Sequence, residues 1–136
     1  VIQQTKKESS QKNYIVCLKH GTKYSSEYVN RLYNMVNRHT TVSFEFVCFT
    51  DDTRGIKDGI KTIPLKQIGI YGWWYKIIFF DKDFPLQGNI LYFDLDVLVY
   101  KNIDNLFYFQ PDKFVICRDQ TVQLCQKDGD QLHRHL

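Results

Sequence analysis

The sequence predicts an α/β domain built on a Rossmann-like, mostly parallel sheet with helices on both faces. Three observations carry that expectation. Tyr14–Lys19, Val42–Thr50, Asn89–Phe93 and Phe114–Arg118 are short apolar runs, rich in β-branched and aromatic residues. They lack the clean apolar–polar alternation of a half-solvated strand, so they read as strands buried on both faces. The first two are separated by an amphipathic helical segment, the order in which parallel strands are connected. The length of 136 residues fits one domain large enough for a real core.

Each element has a local reason. Residues 1–13 are rich in Gln, Lys and Ser and read as a flexible lead-in to a domain spanning 14–119. Tyr14–Lys19 (YIVCLK) is the first strand, closed by the polar turn His20–Lys23. Ser25 or Ser26 can cap a helix reaching about Asn37, with Tyr28, Leu32, Met35 and Val36 on one face. Val42–Thr50 is the second strand and ends at the turn Asp51–Gly55. A short third strand lies within Gly59–Leu65, stopped by Pro64. Gly69–Gly72 is a joint, and Trp73–Asp81 a short aromatic helix. The loop Phe84–Gly88 leads to the strand Asn89–Phe93 (NILYF), which runs into Asp94-Leu95-Asp96. Val97–Tyr100 is expected to continue extended, Asn102–Phe107 to form a turn and a helical turn, and Phe114–Arg118 (FVICR) to be the last strand. Residues 120–136 are polar and read as a weakly ordered tail.

Composition excludes several classes. Hydrophobic residues at 43% and charged residues at 24% are incompatible with general disorder. No apolar run approaches the roughly 18 residues of a membrane span. A net charge of +3 and a pI near 8.6 do not mark a nucleic-acid partner. Residues 1–40 hold seven basic and two acidic side chains, the remainder eleven and thirteen, so the acids cluster later in the chain. Cys17, Cys48, Cys117 and Cys125 show no C-x-x-C spacing and read as buried thiols of a reducing compartment. With no apolar leader at the polar N-terminus, the expected location is cytoplasmic.

Chemistry is expected at the carboxyl ends of the strands, where open α/β sheets bind ligands. Lys19, His20 and Gly21 follow the first strand, Asp51 and Asp52 the second, Asp94 and Asp96 the NILYF strand, and Arg118 and Asp119 the FVICR strand. Asp94 and Asp96 are the sharpest signal. Two carboxylates at i and i+2 on a strand end can face one side, where they repel unless a cation lies between them. Mg²⁺ or Mn²⁺ suits that position, since it takes carboxylate and phosphate oxygens together.

The run NILYFDLDVLVYKNIDNLF resembles the D-x-D region of nucleotide-sugar-dependent glycosyltransferases of the GT-A fold, especially the family 8-like enzymes. YIVCLKHGTKYSSEYVNRLYNMV is similar to their first strand, nucleotide loop and first helix. FEFVCFTDD is similar to their second strand, and GWWYKIIFF to the segment before the D-x-D strand. The similarity spans roughly residues 14–119. It implies a metal-dependent glycosyltransferase that moves a sugar from a nucleoside-diphosphate donor, UDP-sugar first among them, to a hydroxyl of a carbohydrate, lipid or protein acceptor. Asp96 would then bind the metal, Asp94 the metal or the ribose hydroxyls. Lys19, His20 and Gly21 would lie against the nucleotide, Asp51 or Asp52 near base or ribose, and Lys76 near the diphosphate or sugar. Retention of anomeric configuration is the outcome the family 8-like group implies.

Each of these residues also has an ordinary structural alternative. Lys76 can be a solvated helix residue, Asp51-Asp52 a turn pair, His20 a loop histidine, and Trp73 and Trp74 packing residues. The enzymes it resembles continue well past this region, so the chain reads as their N-terminal, donor-binding half, with a second copy a possible cover for apolar surface. His133 and His135 are either a metal pair or part of the tail. Two other functions fit the same residues. One is a non-catalytic nucleotide-sugar-binding fragment. The other is a haloacid-dehalogenase-type phosphohydrolase with Asp94 as nucleophile and Asp96 as acid/base, although that motif normally opens its domain.

Overall fold

The computed structural model describes residues 11–118. Asp119, Cys125, His133 and His135 therefore lie outside the described residues, as do most of the expected lead-in and the tail. Seven elements follow one another: β1 (Asn13–Lys19), α1 (Ser26–His39), β2 (Glu45–Thr50), β3 (Lys61–Pro64), a 3-10 helix (Gly72–Phe80), β4 (Asn89–Tyr92) and α2 (Asp104–Tyr108). The four strands form one sheet in the order β3-β2-β1-β4. Every pairing is parallel, so all four carboxyl ends lie at one edge.

Side-chain alternation along the central strands divides the core in two. Ile15, Cys17, Phe46 and Cys48 point to one face, where Val29, Leu32 and Val36 of α1 and Phe107 of α2 cover them. Tyr14, Val16, Val47 and Phe49 point to the other, against Tyr75 of the 3-10 helix, Leu65 and Leu86. Burial on both faces is why β1 and β2 read as continuous apolar runs. Helices do lie on both faces, but the second face is closed by a 3-10 helix and loops. Asn13, assigned to the lead-in from sequence, opens β1 and accepts a hydrogen bond from Asn89 Nδ2 at 3.0 Å.

The helix α1 begins at Ser26 after an extended Ser25, whose side chain makes no capping bond. Glu27 in its first turn and Arg38 and His39 in its last complement the helix dipole. Its buried face is Val29, Leu32 and Val36, whereas Tyr28 is exposed. The expected face was thus rotated by about one residue: Tyr28 packs edge-on against Tyr24 instead of entering the core.

Other boundaries shift for identifiable reasons. The second strand starts at Glu45, not Val42, because the Asp104 carboxylate takes the backbone N–H groups of Thr41 (2.9 Å) and Val42 (3.4 Å). That ties 41–42 to the start of α2 instead of the sheet. β3 is an edge strand and carries Pro64, a position where a missing N–H is tolerated. Val97–Tyr100 pairs with no described strand. Val99 enters the core while Leu98 and Tyr100 are exposed, the alternation that made the segment look extended.

Phe114–Arg118 is a correction. It forms no strand, and Phe114, Val115 and Ile116 are exposed. Strand-forming residues become a strand only where an edge accepts them, and here the chain leaves α2 through a turn at Gln110 that does not bring them to one. Cys117, expected to be buried there, is exposed, whereas Cys17 and Cys48 are buried, face each other across β1 and β2, and are free thiols. No helix among the described residues is long and apolar enough to cross a membrane.

Candidate functional site

Because the sheet is parallel, the loops after β1, β2 and β4 lie at one edge, and a backbone N–H to carboxylate bond (Gly21 to Asp51) and a side-chain bond (Tyr24 to Asp96) link them. The β1 loop opens with Lys19, a buried cation at the strand's last position. His20 follows, its ring 4.4 Å from that of Tyr75 and its Nε2 3.8 Å from Asp51 Oδ2. Gly21, at φ +67°, donates its N–H to the same Oδ2 at 3.0 Å. Asp51 therefore ties the end of β2 to the end of β1. The Gly21 N–H, expected to face a nucleotide, is already engaged by that carboxylate.

Asp52 serves its own turn. Its Oδ1 accepts from the Arg54 backbone N–H at 3.0 Å and its Oδ2 from Arg54 Nη2 at 2.7 Å. The Arg54 guanidinium and backbone N–H hold this carboxyl well below the usual range, and the Lys19 charge adds to the effect. Of the Asp51-Asp52 pair, Asp51 joins the cluster at the sheet end and Asp52 has the structural role.

The D-x-D does not lie on the strand. β4 stops at Tyr92, the Phe93 N–H still bonds Val16 O at 3.0 Å, and Asp94–Val97 is a turn closed by Val97 N–H to Asp94 O at 3.2 Å. The strand argument for a shared side-chain direction accordingly does not apply. The two carboxylates are placed by separate partners. Asp94 Oδ1 accepts from the Tyr92 hydroxyl and pairs with the Lys76 ammonium, each at 2.7 Å. Asp96 Oδ2 accepts from the Tyr24 hydroxyl at 3.1 Å. The remaining oxygens, Asp94 Oδ2 and Asp96 Oδ1, receive no hydrogen bond from the described residues.

Burial pushes the Asp94 carboxyl up, but Lys76 and Tyr92 together outweigh it and hold the group below its ordinary range. Tyr92 moves the other way. Burial, the bond to Asp94 and the negative charges of Asp94 and Asp96 keep its proton in place far into alkali. That Asp96 acts on Tyr92 as well puts both carboxylates in the same electrostatic neighbourhood.

Tyr24 and Tyr92 are the members of the cluster that sequence reasoning missed. Tyr92 is the last residue of β4 and lies two residues before Asp94, so its nearness in sequence was visible, although Asp94 itself stands beyond the strand. Nothing in the sequence marked Tyr24. Trp73 and Trp74, expected to pack, are 64% and 58% exposed.

Among the described residues no three His, Cys, Asp or Glu side chains come together as a metal cage. The donor chemistry at Asp94 and Asp96 nevertheless fits a hard divalent cation, which commonly takes one or two carboxylates and completes its shell with water and substrate phosphate. A broad open hollow of about 1030 Å³, lined by Lys12, Asn13, Tyr33, Asn37, Glu45 and Tyr108 among others, lies at the amino ends of β1 and β2. It shares no residue with this cluster. Compared with protein-family models, curated proteins and solved structures, the chain finds no match.

Proposed function

We propose that the carboxyl edge of the sheet binds a nucleoside-diphosphate sugar with a divalent cation, and that the chain carries the donor site of a glycosyltransferase. The observation that carries the reading is that the loops after β1 and β4 meet through the Tyr24–Asp96 hydrogen bond, with Lys76 paired to Asp94 and His20 against the neighbouring Tyr75. In the order β3-β2-β1-β4 the chain reverses its direction of progress between β1 and β4. Such a reversal opens a crevice beyond the strand ends where doubly wound, Rossmann-like sheets take nucleotides. The GT-A resemblance in NILYFDLDVLV points to the same crevice.

The roles follow from charge. Sugar transfer leaves negative charge on the departing diphosphate. A divalent cation held by Asp94 and Asp96 would neutralise part of it. Lys76 fixes the Asp94 carboxylate at its Oδ1 and adds a positive charge beside the same phosphates. Tyr24 and Tyr92 hold the two carboxylates without competing for the remaining oxygens. Asp51 holds the β1 loop against β2 and leaves His20 on Tyr75.

The test is a thermal melt with UDP, UDP-glucose, UDP-galactose and GDP, each with and without Mn²⁺ or Mg²⁺. A shift that needs both nucleotide and metal is expected. Binding without transfer to any added acceptor would make the chain a nucleotide-sugar-binding module. No nucleotide shift, together with Mg²⁺-dependent hydrolysis of p-nitrophenyl phosphate that Asp94→Asn abolishes, would make it a phosphohydrolase instead.

A further inference from the structure

The 3-10 helix before β4 carries more than Lys76. In a 3-10 helix, residues three apart eclipse one another, so Gly72–Phe80 resolves into three columns. Tyr75 and Ile78 form the inner column and pack into the core. Trp74, Ile77 and Phe80 form the outer column and are exposed. Trp73, Lys76 and Phe79 form the column between them. Trp73 therefore stands one turn, about 6 Å of rise, from the lysine that grips Asp94. Its indole stacks on Trp74 with ring centroids 4.1 Å apart and planes 24° from parallel.

Two mutually stacked, solvent-facing indoles one turn from a charged cluster have an identifiable complement. A pyranose ring presents C–H groups from one face, which pack on an aromatic plane, and hydroxyls around its rim, which need charged or polar partners. Lys76 sets its ammonium on Asp94 and over the Tyr92 ring, and an ammonium with three N–H donors keeps capacity beyond that one carboxylate oxygen. Purely apolar occupants would leave that capacity unused. We propose that Trp73 and Trp74 form a stacking platform for a pyranose of the acceptor carbohydrate, continuous with the donor crevice through Lys76. Its designation as the acceptor side rests on the donor reading above; sugar binding itself does not.

Trp73 and Trp74 are the only tryptophans of the chain, so tryptophan emission reports on this surface alone. The full chain is titrated with methyl β-D-glucoside, methyl β-D-galactoside and lactose, with and without UDP and Mn²⁺. At least one of these is expected to move the emission saturably to shorter wavelength. Trp73→Ala, read through Trp74, should weaken that response about tenfold, and Trp73→Phe should largely restore it. The UDP and Mn²⁺ melt shift should persist in Trp73→Ala, which also shows that the variant is folded. A donor shift with no glycoside response overturns the platform and leaves the donor reading standing. A glycoside response without a donor shift keeps the platform as a sugar site and removes the donor reading. An unchanged glycoside response in Trp73→Ala overturns the platform. So does emission that responds to protein concentration but not to glycoside, which would assign the surface to a second copy of the chain.

Discussion

Lys76 is the main group that lowers the Asp94 carboxyl against its burial. It sits 2.7 Å from Asp94 Oδ1 and also lies over the Tyr92 ring, at 5.4 Å from its centroid. Because Asp94 is held below its ordinary range in the folded state, the stability it contributes is fully present above the unfolded value, about 3.9. That contribution is lost as the pH falls through the lower, folded value. Lys76→Met removes the larger of the two groups that lower it and leaves burial pushing upward. The Asp94 midpoint, followed by NMR of its carboxyl carbon, should therefore rise toward or past the unfolded value, and the part of the acid-induced loss of stability that comes from Asp94 should shrink. An unmoved midpoint would mean that the Lys76–Asp94 pair does not persist in solution. Asp52 lies at the other extreme. It is as acidic and as close to a strand end in sequence as Asp94, but both of its oxygens are occupied by Arg54 two residues on. Sequence position could not separate these two aspartates, because what distinguishes them is which cation reaches each one.

At the scale of elements, β1, α1 and the β4 strand were legible because their patterns are long or uniformly apolar, while the helical face was misplaced by one position. Tyr28 and Val29 both satisfy a helical period with Leu32 and Val36, and only the direction of approach to the sheet selects Val29. The consequence is measurable by urea unfolding. Leu32→Ala should destabilise by about 2–5 kcal/mol, whereas Tyr28→Ala, at an exposed site, should stay near 0.5 kcal/mol. Similar losses at both positions would restore the Tyr28 face. The entry to β4 was read only as a loop, yet it contains a close approach. Gly88 has φ +148°, and a Cβ there would stand 2.1 Å from the Lys12 carbonyl oxygen. The following Asn89 N–H bonds that same oxygen at 2.9 Å, so Gly88 sets the register of β4 on β1. Gly88→Ala should cost more than about 1 kcal/mol and loosen β4 first, seen as faster amide exchange at Leu91 and Phe93 than in α1. Phe114–Arg118 was not legible for the opposite reason. Its composition suits a strand, but pairing is a long-range property that the run itself does not contain.

Across the whole molecule, the groups that make the core and those that make the candidate site are segregated. The core lies between the sheet and its covering helices, and Asp94, Asp96 and Tyr24 lie beyond the strand ends. Parallel pairing produces that separation, since it gathers chain ends from distant sequence positions at one edge while the apolar runs fill the layers. This is why the site was partly legible: polar residues after each apolar run could be counted in advance, but their mutual contacts could not. The same segregation makes ligand linkage a clean probe of function. Asp96 is exposed, and among the described residues its side chain is tied by one hydrogen bond, from Tyr24, so Asp96→Ala should leave the melt of the free protein within about 0.5 kcal/mol. The ligand-bound melt should respond differently. Nucleotide at a hundred times its Kd stabilises by about 2.7 kcal/mol, on the order of 10 °C for a domain of this size. In Asp96→Ala the part of that increment that depends on Mn²⁺ should vanish while any metal-free part remains. A large loss in the free protein would assign Asp96 to the fold, and an intact metal-dependent increment would move the cation elsewhere on the same edge.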